Sequence, residues 1–580
     1  MSFVPPILNL TATTPSLGAR AWVDGDELIV SFATTGGRGP ADTVLLLPVQ
    51  SSAPSKSTAA TTSLHSGFRA EWAAQGDALW QRDPFRLWRR TPESVSGPQT
   101  LRLPLAQGPA AWAGHDEMLV VLLYRQFADV GEDDPGPSPQ APAVATVARP
   151  LIGALDEIAQ VVDMCTRPRL RRGLLRLAPA AATEPTHGYG SAASPIDTCF
   201  ALASCQYPAD LLDASPRNPA FSAGPADASL ARLSACLDSG PPEQRPTLLV
   251  LAGDQVYLDD MAGLFEARAN DDRYHSRYQF LLESRGMQLV SARLPIACML
   301  DDHEIVDNWE PMPSGGPGAA AALEWDGARS DGVGAFIDYQ RMAGPPLAYP
   351  ADRCSLWCSF EHGGLPFFMA DTRTQRERRT ARRLATARLM HEQQFSELKQ
   401  WLLEHRAGPC FVVTPSILLP RQRLTADDAD DEAGALHSDA WDGYPASLHE
   451  LLAFLCDEQL SSVVFLSGDE HVSCAVRASV TRRDGLSVSL HSVHSSALYA
   501  PYPFANGTPQ QFKSPDCFGF EVRRRAYQCQ VEAATWAPGD GFARLRVCPS
   551  PSRPGRCQLW VQFDRAGVQA SVQVAPFELG

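Results

Sequence analysis

Leu248-Leu-Val-Leu-Ala-Gly-Asp-Gln-Val-Tyr-Leu-Asp-Asp260 decides how this 580-residue chain is read. Leu248 to Ala252 is an apolar run of strand length. It suits a strand buried on both faces, although periodicity alone does not separate it from a helix. Gly253 lets the backbone turn tightly, and Asp254 then offers a hard oxygen donor at the carboxyl edge of a sheet. That edge is where open α/β sheets gather ligands and metals. Taken alone the stretch is equally a common Gly-Asp turn. Its neighbours decide.

Outward from it, residues 196 to about 500 alternate strands with helices, the pattern of an α/β layer structure. Strands are predicted at Thr198 to Ala203, Leu248 to Ala252, Pro295 to Leu300, Pro366 to Ala370, Cys410 to Thr414 and Val463 to Leu466. Helices are predicted at Ser229 to Leu237, Tyr274 to Glu283, Gly334 to Met342, Ala385 to His405 and Ser447 to Gln459, the fourth marked by the stripe Phe395, Leu398, Trp401, Leu402. Before this region, short runs such as Glu27 to Phe32 and Met118 to Tyr124 separated by Pro/Gly turns suggest a β-sandwich over 1–130. A linker and helical connector is expected over 131–195: Gly131 to Pro142 is too rich in Pro to fold by itself, and 155 to 175 looks helical with a basic cluster from Arg167 to Arg176. The catalytic region would then span 196–510, with a β-rich segment over 511–580 packed on it.

Composition limits the function. With 44% hydrophobic and 20% charged residues the chain is ordinary globular protein. Its formal net charge of -16 disfavours stable nucleic-acid binding, and phosphate chemistry would need locally bound cations. No stretch reaches the roughly 18–20 apolar residues of a membrane span. The amino terminus shows no export signal as written, so the 14 Cys read as reduced thiols and the expected compartment is cytoplasmic.

Four of the predicted strands end in metal-binding groups. They are Ser204-Cys205-Gln206, Asp254 with Tyr257, Asp301-Asp302-His303-Glu304 with Asp307 and Asn308, and Gly468-Asp469-Glu470-His471. Carboxylate, imidazole, thiol and phenol recurring at strand ends form a constellation that packing does not explain, and a metal is the most economical partner for buried charges. Cys205 also reads as an ordinary buried thiol, and His303 as a structural histidine held by Glu304 or another carboxylate. Arg373, in Asp371-Thr-Arg, either grips a phosphate or pairs with Asp371. The run Arg376 to Arg383 reads as a solvated face. A Cys-based hydrolase built on Cys205 and His471 is a weaker reading, because it leaves Asp254, Tyr257 and Asp302 without a role.

Together, Ser204-Cys-Gln, Gly253-Asp-Gln-Val-Tyr, Asp301-Asp-His-Glu-Ile-Val-Asp-Asn-Trp, Asp371-Thr-Arg, Asp439-Ala-Trp-Asp-Gly-Tyr-Pro and Gly468-Asp-Glu-His resemble the PhoD-type alkaline phosphatase/phosphodiesterase family of calcineurin-like metallophosphoesterases. The resemblance implies a four-layer αββα sandwich behind an amino-terminal β-sandwich. It implies hydrolysis of phosphomonoesters or phosphodiesters by a water activated at a multi-metal site. By that resemblance Asp254 would bridge the metals, Cys205 and Tyr257 would bind ferric iron, and Asp469 and His471 would close the cluster. Either Asp302 or Asn308 would hold a second ion, with Fe3+ plus Ca2+ or another divalent ion as the set. His303 would serve the leaving oxygen and Arg373 the phosphate. The competing expectation is a non-catalytic metal- or phosphoester-binding protein on a retained fold.

Overall fold

The computed structural model describes seven strand segments between 20 and 176, and from 196 onward all but 208–224, 259–276, 313–318, 341–354, 424–435, 501–506 and scattered single positions; side chains of 319–326 are also left aside. The chain forms two compact units, 1–182 and 183–580. The first contains β1 (Arg20–Asp24), β2 (Glu27–Thr34), β3 (Thr43–Val49), β4 (Trp88–Arg89), β5 (Gly97–Pro104), β6 (Glu117–Leu123) and β7 (Arg172–Arg176). They make two antiparallel sheets, β1-β2-β5 and β4-β3-β6-β7. Of the helix expected over 155 to 175, residues 155–171 lie outside the described residues, and the end is β7, which pairs with β6. The basic cluster there is in part a strand. The Pro-rich linker from Gly131 to Pro142 lies outside the described residues.

The second unit carries β8 (Thr198–Gln206), β9 (Leu249–Ala252), β10 (Ile296–Met299), β11 (Cys358–His362), β12 (Leu365–Met369), β13 (Cys410–Val413), β14 (Val463–Ser467), β15 (Val472–Arg482), β16 (Ser487–His494), β17 (Ala497–Tyr499), β18 (Asp516–Val522), β19 (Arg525–Val531), β20 (Thr535–Pro538), β21 (Gly541–Pro549), β22 (Cys557–Arg565), β23 (Val572–Gln573) and β24 (Phe577–Leu579). Its helices include α1 (Ala228–Ser239), α2 (Ala319–Phe336), α3 (Glu392–Glu404) and α4 (Pro445–Asp457). Two mixed sheets result. One runs β10-β9-β8-β21-β22-β23, and the other β11-β12-β13-β14-β16-β15-β19-β18. β8, β9 and β10 are mutually parallel, as are β12, β13 and β14. All nine residues of β8 and all four of β9 are buried, as expected of central parallel strands whose sequences do not alternate.

The two sheets share one apolar cluster. Phe200 of β8 stands edge-on to Phe367 of β12 at 5.1 Å and to Phe411 of β13 at 5.0 Å. Val250, Leu545 and Val561 from the first sheet join Leu466 and Val493 from the second. The second sheet's other face is covered by α3, through Phe395, Leu398, Trp401 and Leu402, and by α4, through Leu448, Leu451 and Leu455. Parallel strands packed face to face in this way bring their carboxyl ends to one edge, which is what positions the site.

The α3 stripe is in place, but the helix starts at Glu392 rather than Ala385. The preceding segment is held in irregular form by other contacts. Glu377 donates its N–H to the Arg388 carbonyl at 2.8 Å, the Leu389 N–H donates to Ser447 Oγ at 3.0 Å, and Leu389 and Met390 are buried. His391 then caps the helix, its Nδ1 accepting from the Gln393 N–H. Among the described residues no helix is long and apolar enough to cross a membrane.

Candidate metal centre

Four loops meet at that edge. Gly253 follows β9 at φ +100°, a conformation that costs glycine little. A Cβ there would sit 2.5 Å from the Asp301 Cβ, so the β9 and β10 loops can touch only at a glycine. Gly468 does the same for β14: a side chain there would overlap the Ser204 side chain and crowd the Ala252 carbonyl. The second sheet's tip is thereby drawn against the tips of β8 and β9. Backbone bonds fix the register, with the Cys205 N–H on the Gly253 carbonyl at 3.1 Å and the Gln206 N–H on the Asp254 carbonyl at 2.7 Å.

The donors converge. Asp254, Asp301, Asp302 and Asp469 each bring an oxygen within 4.8 Å of the others, and Asp254, Asp302 and His303 form an overlapping group. Cys205 Sγ lies 3.4 Å from Asp254 Oδ2, and Tyr257 Oη lies 3.3 Å from His471 Nε2. His303 stacks on the Tyr257 ring at 4.1 Å, stays partly exposed, and places Nε2 3.9 Å from Asp307 Oδ1. Asn308 is the outlier. Its side chain is exposed and bonds Asp307, while only its backbone N–H reaches Asp302, 2.6 Å from Oδ2. Cys205, Asp254, Asn308, Asp469 and His471 all hold positive φ, between 49° and 84°, without being glycine.

Electrostatically, buried carboxylates outnumber the cations that face them. Burial, and then the charges of Asp302, Asp301, Glu304 and Asp469, push the Asp254 carboxyl well above the usual carboxylate range. Burial and then Asp439 do the same to Asp469. The Tyr257 phenol is raised by burial and by Cys205 and Asp254. The Cys205 thiol is raised by burial and then by Asp254 and Asp469, the wrong direction for a free thiolate nucleophile. Burial acts on Asp302 too, but Arg373, His303 and the Asn308 amide outweigh it and hold its carboxyl below the usual range. Asp301 Oδ2 and Asp302 Oδ1 are buried and have no hydrogen-bond partner among the described residues. Free buried lone pairs amid like charges are what a bound cation satisfies, so the donor set fits metal.

Other groups hold the loops, and the sequence reading gave none of them this role. Glu304 is fully buried and accepts the backbone N–H groups of Asp301 (2.8 Å), Asp254 (3.1 Å) and Gln255 (2.6 Å), tying the β9 and β10 loops together. Arg373 does not pair its side chain with Asp371, which accepts the backbone N–H groups of Arg373 and Thr374 and the Thr374 hydroxyl. Its guanidinium, 0% exposed, reaches Asp301 Oδ1 through Nε at 2.7 Å and Nη2 at 2.6 Å. It also lies 3.5 Å from Asp302 Oδ1 and 2.8 Å from Asp439 Oδ2. Arg376 is fully buried as well, with Nη1 4.0 Å from Asp439, and Arg379 is engaged by Glu310 and stacked over Tyr444. The start of the run from Arg376 to Arg383 is interior, not a solvated face. In sequence Asp439 stands only within a motif of the family resemblance, with no role of its own; no local signal pairs it with Arg373, 66 residues away.

Alkaline phosphatase D of Bacillus subtilis (strain 168) is 24% identical over 327 residues, 51% of this chain and 52% of that protein, so the chain spans about half the length of this curated relative. A solved structure described as "Structure of PhoD" superposes with a TM-score of 0.51 at 12% identity, covering 98% of this chain and 89% of that one, a likeness of fold. The family match runs over residues 241–535, which takes in Asp254 to His471 but not Cys205. Half of the chain thus carries the family's pattern, and with the strand-tip donors in place inside it, this chain belongs to the PhoD-like phosphatase family.

Proposed function

We propose that the chain hydrolyses phosphate esters at this strand-tip cluster, on a core read as the four-layer αββα sandwich of calcineurin-like enzymes. The observation that carries the proposal is the convergence of Asp254, Asp302 and Asp469 with Cys205, Tyr257 and His471 from separate loops. Cys205, Asp254, Tyr257 and His471 would hold a trivalent ion such as Fe3+, Tyr257 as a hard phenolate donor and Cys205 as a softer thiolate. Asp302 and Asp469, with Asp254 shared, would hold Ca2+ or another hard divalent ion. Asp302 is preferred to Asn308 because the Asn308 side chain points to solvent and Asp307. Bound cations would neutralise phosphate charge and make water acidic enough to supply the nucleophile near neutral pH.

The chain's own residues do the rest. Asp254, in left-handed backbone, is fixed by the Glu304 clamp on its amide and by the His303 N–H, 3.3 Å from its Oδ1. His303 presents a partly exposed imidazole beside the cluster, its Nε2 3.9 Å from Asp307 Oδ1. That suits it to hold or deliver a proton at the departing oxygen. Arg373 is enclosed by carboxylates, so it acts on them rather than touching phosphate.

The test strips the full chain of metal, reloads it with Fe3+ and Ca2+, and assays chromogenic phosphomonoesters and phosphodiesters. Turnover should appear on reloading and fall about 100-fold or more in Asp254→Asn. Metal-replete protein that turns over neither ester class would leave only a binding role. Full activity in Asp254→Asn would remove the cluster from the chemistry.

A further inference from the structure

The cluster contains a positive charge of its own, the Arg373 guanidinium. Arg373 is wholly enclosed and touches three carboxylates from two loops: Asp301 and Asp302 after β10, and Asp439 ahead of α4. Two of those carboxylates, Asp301 and Asp302, also belong to the four-carboxylate group, and each keeps one buried oxygen without a hydrogen-bond partner among the described residues. Zero exposure leaves no room for substrate against the guanidinium. Arg376 sits 4.0 Å from Asp439.

We propose that Arg373 is a tethered cation, occupying a place that a further metal ion would otherwise fill, and that it thereby sets how many ions the cluster holds. The physical argument has two parts with the same sign. Removing the guanidinium frees the lone pairs of Asp301 and Asp439 as ligands, and it makes the potential there more negative. Breaking a buried ion pair by deleting one partner is costly because the remaining charge is uncompensated, so the carboxylates left behind recruit whatever cation is present. Hard divalent ions, which take several oxygens, match what would be exposed. Confining metals to the Asp254 and Asp302 side keeps them next to the His303 edge, where a substrate has access.

The inference rests on the cation-binding reading of the site, and it is tested without any assay of activity. Full-length wild type, Arg373→Met and Arg373→Lys are stripped with chelator and equilibrated with Ca2+, then bound ions are counted by elemental analysis. Melting is followed with and without Ca2+. Arg373→Met should bind one more ion per chain than wild type and show a lowered metal-free melting temperature that Ca2+ recovers. Arg373→Lys, which keeps the charge, should match the wild-type count. An unchanged or smaller count in Arg373→Met, an extra ion in Arg373→Lys, or an Arg373→Met chain that stays unfolded even with Ca2+ would each overturn the proposal. Wild type that binds no ion at all would refute the metal site itself, a different outcome.

Discussion

At the residue scale, the site holds its donors in backbone that side chains normally avoid. Cys205, Asp254, Asp469 and His471 all lie at positive φ. Such residues cost of order 1–3 kcal/mol each and persist only where surrounding contacts over-determine them. Asp254 adds a second cost, because it is buried among like charges. Removing that charge while keeping a side chain that tolerates left-handed backbone should therefore help the empty fold. Asp254→Asn is expected to raise the melting temperature of metal-free protein by several degrees while abolishing the gain that metal gives wild type. Calorimetry with and without cations checks both halves, and a lower metal-free melting temperature would contradict the charge argument. Most of the candidate donors were legible because each follows a strand-like run and carries metal-binding chemistry. The supporting groups were not. Glu304 looks in sequence like a partner for His303, and its partners are the nearby Asp301 amide and backbone amides of a loop some fifty positions earlier. Arg373 looks like a phosphate ligand until its burial is known.

At the element scale, strands were easier to read than helix boundaries. The runs at 198, 249, 296, 410 and 463 are short, apolar and ended by Gly, Asp or polar residues, and each is a buried strand within a residue or two of its expected span, apart from β8, which runs on to Gln206. The start of α3 was misjudged because tertiary contacts of Leu389 and Met390 override local periodicity, and 172–176 because pairing with β6 outweighs helix propensity. Neither contact leaves a local signature. The loops between strands depend on Glu304, which replaces a missing ladder between the β9 and β10 tips. Glu304→Ala should leave buried N–H groups unpaired and cost roughly 2–5 kcal/mol, with weaker cation binding. Denaturant titration beside calcium calorimetry measures the two effects, and unchanged values for both would dismiss the clamp.

At the scale of the whole molecule, buried histidines tie stability to acidity. Burial, with Arg477 adding to it, lowers His491 from its ordinary value to about 4, and its ring stacks on Phe577 with the Glu578 backbone alongside. A base whose folded pKa is depressed contributes stability that is full above about 6.5 and is lost as pH falls toward 4. His491→Phe keeps the stack and removes the proton site, so between pH 7 and pH 5 it should lose about 2 kcal/mol less than wild type. Unfolding titrations at the two pH values decide this, and parallel losses would show that the ring titrates normally. The order of strands within the first sheet has a separate consequence. β21 lies between β8 and β22, so the strand that carries Cys205 is flanked by one that is made only after the last candidate donor, His471. A nascent chain can have every donor already translated and still lack a closed sheet to aim them. A chain cut between 472 and 540 would therefore hold the full chemical inventory and no cage.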